Sequence, residues 1–159
     1  MTTKLLAAGL AVIASQAAAD TPVLTVLTYD SFTSEWGPGP AIEKGFEATC
    51  GCDVQFLTAG DGAALLARVK LEGKDSKADL VVGLDTNLTA DATATGLFAP
   101  VAAQLNTLPV PFSDPNFIPF DWGYFAFVYD KTKVTTPPTS FEELAASNLK
   151  IVIEDPRSS

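Results

Sequence analysis

The chain has 159 residues, the length of one compact domain, with 19 acidic residues against 10 basic ones and no histidine. A net charge of −9 argues against a nucleic-acid partner, which needs a basic face to neutralise phosphate. The lack of imidazole removes every catalytic or metal-binding scheme built on it.

Residues 1–19 read as a cleavable export signal. Lys4 supplies a basic start, Leu5 to Ala14 is an apolar run too short to span a bilayer, and Ala17-Ala18-Ala19 offers small residues for cleavage. The expected mature chain is 20–159, exported and one charge more acidic once Lys4 is lost. An oxidising compartment permits a bridge between Cys50 and Cys52. Such a bridge closes almost no loop, and the sequence leaves both redox states open. Two cysteines at this spacing are a poor zinc site.

Val23 to Thr28, rich in β-branched residues, predicts a buried first strand. Tyr29 to Pro40 is a loop punctuated by Gly37-Pro38-Gly39-Pro40. A helix is expected from about Ala41 to Thr49, with Ile42, Gly45 and Phe46 on one face. Asp53 to Leu57 alternates as a second strand, and Gly60-Asp61-Gly62 turns into a helix over Ala63 to Leu71 that Gly73 stops. Leu80-Val81-Val82 suits a short parallel strand, followed by a helix ending at Gly96 with Leu97 as its capping contact. Pro100 to Pro119 is irregular. Tyr124 to Tyr129 predicts a strand, Ser140-Phe141-Glu142-Glu143 a capping box opening a short helix, and Leu149 to Ile153 a last buried strand.

This order predicts an α/β fold, a mixed or parallel sheet flanked by helices on both faces. Ligands of such sheets bind beyond the carboxyl ends of the strands. The loops to watch are therefore Tyr29 to Pro40, Thr58 to Gly62, Gly83 to Asn87 and Asp155 to Ser159.

Several of these stretches carry a resemblance. Thr28-Tyr29-Asp30-Ser31-Phe32, Glu35-Trp36-Gly37-Pro38-Gly39-Pro40, Asp61-Gly62, Gly83-Leu84-Asp85, Phe120-Asp121-Trp122-Gly123-Tyr124 and Asp155-Pro156-Arg157-Ser158-Ser159 occur in that order. Together they resemble the periplasmic thiamine-binding proteins, within the two-lobed (type 2) solute-binding superfamily. The resemblance implies the first lobe of a two-lobed periplasmic-binding-protein fold, cut short at about the crossing into the second lobe. It also implies a monomer in the periplasm that delivers thiamine or its phosphates to the permease of an ABC importer. No cofactor is implied, the vitamin being cargo.

Thiamine joins a thiazolium cation to an aromatic pyrimidine, and its phosphates add negative charge. Tyr29 and Trp36, in the first post-strand loop, offer aromatic faces for stacking. Trp36 packing beneath the Gly-Pro turn is the structural alternative. The resemblance places ligand contacts at Asp61 and Gly62, where Asp61 can equally serve as a helix N-cap. It places a further contact at Ser159, with Ser158 beside it, where a hydroxyl can donate to phosphate or simply shape a turn. Asp85 and Asn87 read as capping residues, and Asp121 and Trp122 as residues bordering a hinge.

Two other readings are weighed. A relative specific for a polyamine, ferric iron or an oxyanion shares the architecture, although iron sites often use a histidine. A thiamine-processing enzyme would need a nucleophile, and Cys50 and Cys52 are the only thiols. Their place between a predicted helix and strand, away from the post-strand loops, speaks against catalysis.

Overall fold

A computed structural model describes residues 20–101 and 108–153. The expected signal at 1–19 and the Asp155 to Ser159 stretch lie outside the described residues. Three parallel strands, β1 (Val23–Thr28), β2 (Asp53–Thr58) and β3 (Leu80–Val82), form a sheet in the order β2-β1-β3. β1 pairs with β2 along its whole length, Val23 opposite Asp53 and Thr28 opposite Thr58. β3 joins only the last half of β1, from Val26–Leu80 to Thr28–Val82. Asp79 fixes that offset: its carboxylate accepts the Thr25 N–H at 2.8 Å, and its own N–H donates to the Thr25 carbonyl at 2.9 Å.

Helix α1 (Gly39–Cys50) links β1 to β2, and α2 (Gly62–Glu72) links β2 to β3. The two crossovers run in opposite directions across the sheet, so right-handedness puts the helices on opposite faces. Along β1, alternation sends Leu27 to one face and Val26 and Thr28 to the other. Leu27, Leu65 and Val69 form the buried centre beneath α2, joined at its edge by Tyr29, Leu57, Val81, Leu84, Leu97 and Phe98. On the other face the buried Phe32 ring meets Phe56, with centroids 5.7 Å apart. The hydroxyl of Thr28, fully buried on that face, finds no hydrogen-bond partner among the described residues.

Each helix begins slightly earlier than its pattern predicts, because Pro40 and Gly62 fit inside the first turn. The expected apolar face of α1 is poorly covered, Ile42 and Phe46 remaining 41% and 47% exposed. A 3-10 turn, Asp30–Phe32, interrupts the first loop. Helix α3 (Thr89–Ala94) runs on through Thr95 to a left-handed Gly96 at φ 66°, whose N–H donates to the Thr93 carbonyl. Helix α4 (Phe141–Ala146) is capped by Ser140, which accepts the Glu143 N–H. Glu143 reaches back one residue further than a capping box requires, taking the Thr139 N–H at 2.7 Å.

Two expected strands do not form. Tyr124 to Tyr129 and Leu149 to Ile153 are neither paired nor buried; Phe125 and Val128 are 89% and 95% exposed and Val152 is 91% exposed. Both have strand composition, but a strand exists only as part of a ladder. Among the described residues no strand pairs with either stretch, and the edge-on contact of Phe127 with Phe141 at 5.3 Å leaves both rings exposed.

Candidate functional site at the strand tips

With β1 central, its following loop turns towards α1 on one face while the loop after β3 leaves on the other. The crevice of such a sheet opens at that divergence. The side chains there are closely fitted. Tyr29 lies over Gly83, where an added Cβ would fall 2.2 Å from its Cδ1, and Gly83 itself sits at φ 112°. The same hypothetical atom at Gly62 would fall 2.9 Å from the Gly83 carbonyl. The loops after all three strands therefore meet around Tyr29, Gly62 and Gly83, at a separation only glycines permit.

Asp30 ties the first two loops together. Its N–H donates to the Gly60 carbonyl at 2.9 Å, and its carboxylate accepts the Gly60 N–H at 3.0 Å. Ala59 adds an N–H to the Thr28 carbonyl at 3.1 Å. Gly60 takes a positive φ of 68° to make this clasp. Asp61 follows directly and caps α2, accepting the Ala64 N–H at 2.8 Å. Its capping role is thus real, and its carboxylate lies beside the first amides of the helix, at the strand tips. The amides of Gly62 and Ala63 have no acceptor among the described residues.

The aromatic part is hinged on Phe32. Its ring meets Tyr29 edge-on at 5.6 Å and Phe120 at 5.5 Å. Phe120 brings its neighbour Asp121 close to Tyr29. Burial, reinforced by the Asp121 carboxylate, pushes the Tyr29 phenol above its ordinary value of 10.0, so it stays a neutral hydrogen-bonding group. Gly37 and Gly39 press against the Phe32 carbonyl, within 2.4 Å and 2.7 Å of where a Cβ would lie, and so fold the Gly-Pro segment back onto this ring.

Of the residues expected from the sequence, Tyr29, Asp61 and Gly62 are brought together. Trp36 stands apart, 81% exposed, and does not pack beneath the Gly-Pro turn. Ser158 and Ser159 lie outside the described residues. Asp85 accepts the Asn87 N–H at 2.8 Å, as a capping residue would. Sequence reasoning passed over Asp30, Phe32 and Gly83 as positioning residues. The available signal was their place immediately after predicted strands.

Among the described residues no group of three or more Cys, Asp or Glu side chains could hold a metal. The two thiols are oxidised to each other and lie at the opposite end of β2. The strand tips thus bring together an aromatic ring, a neutral phenol, a carboxylate and helix-start amides.

A parallel α/β sheet whose post-strand loops meet at the strand tips is the class of fold in which ligands bind beyond the carboxyl ends of the strands. A family model described as bacterial extracellular solute-binding protein matches residues 75–159, more than half of the chain, and the chain belongs to that family. More particularly, it is 52% identical over 142 residues to the thiamine-binding periplasmic protein of Escherichia coli K12, covering 87% of this chain and 43% of the relative. The protein of the same name from Brucella abortus is 52% identical over 139 residues, and that from Haemophilus influenzae 46% over 140. A solved periplasmic thiamin binding protein superposes with a TM-score of 0.76 at 49% identity, over 84% of this chain and 42% of that one. The chain thus spans less than half the length of these relatives.

Proposed function

We propose that this chain is the first lobe of a periplasmic thiamine-binding protein, which holds thiamine or a thiamine phosphate and hands it to the permease of an ABC importer. The observation that carries the reading is the coincidence of two things. The relatives named for thiamine share about half of all aligned positions, and the strand tips gather Tyr29, Asp61, Gly62 and Gly83, an aromatic ring, a carboxylate and close backbone of the kinds that suit this vitamin.

In this reading an aromatic face, that of Tyr29 or of the exposed Trp36, takes the pyrimidine or thiazolium ring. The Asp61 carboxylate offsets the ring cation, and the Gly62 and Ala63 amides face phosphate oxygens. Ser158 and Ser159 would add hydroxyl donors. A second lobe, supplied by the polypeptide beyond this segment, closes over the ligand. Closure shifts an equilibrium between open and closed forms, and no bond is made or broken. The mature molecule is 20–159 continued by that second lobe, and acts as a monomer.

Calorimetry on the longer polypeptide that carries this segment tests the proposal. Thiamine or its diphosphate should saturate at one per molecule, while spermidine and ferric citrate give no heat. Absence of heat with thiamine and both of its phosphate esters would overturn the assignment. Saturation by spermidine instead would transfer it to the polyamines.

A further inference from the structure

Cys50, the last residue of α1, is bonded to Cys52, which immediately precedes β2. Gly51 between them adopts φ 64° and caps the helix. The bridge thus lies across the α1–β2 turn, one length of β2, about 20 Å, from the strand-tip loops.

Three observations bear on its purpose. First, the bridge closes a loop with a single intervening residue, and chain-entropy stabilisation falls as the closed loop shortens. Second, the turn is already held without sulfur. The Asp53 N–H donates to the Pro22 carbonyl at 2.8 Å, the Val54 N–H donates to Glu47 Oε1 at 2.9 Å, and the β1 ladder takes over from Asp53 onward. Third, the bridge is approachable: Cys50 is exposed, Cys52 is partly exposed, and nothing lies within 4 Å of a Cβ placed on Gly51. The Cys52 N–H also donates to Cys50 Sγ at 3.1 Å, so a negative charge released on that sulfur meets a donor already aimed at it.

We propose that Cys50–Cys52 is an exchangeable disulfide, a surface site for reaction with small-molecule thiols and disulfides, and not a structural staple. The thiolate of a small thiol attacks Cys52 Sγ and forms a mixed disulfide there. The Cys50–Cys52 bond breaks, and its electron pair leaves on Cys50 Sγ beside the Cys52 N–H. A second small thiol attacks the mixed disulfide at the small molecule's sulfur. It releases the small-molecule disulfide and leaves a thiolate on Cys52. Two thiols are thereby oxidised, the bridge is reduced by two electrons, and the two thiol protons end on Cys50 and Cys52. The reverse sequence closes the bridge again.

The test incubates the folded protein, without denaturant, in glutathione buffers of varied reduced-to-oxidised ratio. Free thiols are trapped by alkylation and counted by mass spectrometry while circular dichroism follows the fold. The bridge should open and re-form reversibly with the dichroism unchanged. The Cys50→Ser variant should collect one glutathione on Cys52. The Cys50→Ser/Cys52→Ser double variant should melt within about 5 °C of the parent. A bridge that opens only as the dichroism is lost, or a larger fall in the double variant's midpoint, overturns the proposal.

Discussion

At the scale of single residues, the strand tips are governed by what has no side chain. Gly83 combines a φ of 112° with a Tyr29 ring lying where a Cβ would be. Gly83→Ala is therefore expected to lower unfolding stability by at least about 1–3 kcal/mol from backbone strain, with the displaced ring adding to it. Denaturant titration measures the loss, and Tyr29→Ala in the same chain should relieve only the part due to the ring. Thr28 makes the opposite prediction. Its hydroxyl is fully buried without a partner among the described residues, a desolvation cost of about 1–3 kcal/mol. Thr28→Val, of similar shape and suited to a strand, should leave the protein as stable or raise its thermal midpoint. A clear fall in that midpoint would mean the hydroxyl has a partner after all. These residue-scale facts were only half legible in the sequence. The glycines were visible as punctuation, but the atom that each one makes room for comes from a segment far along the chain.

At the scale of elements, α2 matters most. It covers Leu27 with Leu65 and Val69, all three buried, and its N-cap is Asp61 at the strand tips. Leu65→Ala should cost about 2–5 kcal/mol, whereas Leu71→Ala, on the exposed side of the same helix, should cost little. Asp61→Ala should remove about 1 kcal/mol of capping, read from thermal unfolding, before any effect on ligand. The far end of α2 carries a pH dependence. Glu72 accepts from Arg68 at 2.6 Å and from Ser76 at 2.7 Å, and these bonds, with the Arg68 charge, hold its carboxyl below the ordinary 4.5. Its folded value is depressed, so its stabilisation is present above pH 4.5 and lost as pH falls below it. The thermal midpoint of the parent should therefore drop more steeply on acidification than that of Glu72→Gln.

At the scale of the whole molecule, the described residues divide into a packed α/β part and an uncovered apolar part. Tyr124, Phe125, Val128, Val152 and Ile153 all face solvent. An apolar surface of this kind binds hydrophobic dyes and invites association. The isolated chain should enhance the emission of such a dye strongly. Phe125→Lys with Val128→Lys should weaken that emission without lowering the thermal midpoint, because neither residue supports the core. If the midpoint falls with the emission, these side chains belong to the core after all.

Local patterns in the sequence sufficed for β1, β2, β3, α1, α2 and α4, because each is written in contiguous residues. β-branched runs, alternation, a glycine stop and a serine cap act within a few positions of one another. The order of elements was also enough to expect the post-strand loops to come together at the ends of the strands. Tertiary structure alone decided that Asp30 clasps Gly60, that Asp79 offsets β3 against β1, and that Tyr29 rests on Gly83. It likewise decided that the strand-like stretches at Tyr124 and Leu149 stay unpaired. The reason is the same in each case. Such outcomes depend on which distant segment arrives as a neighbour, and a stretch of sequence states what it can pair with, not whether a partner is there.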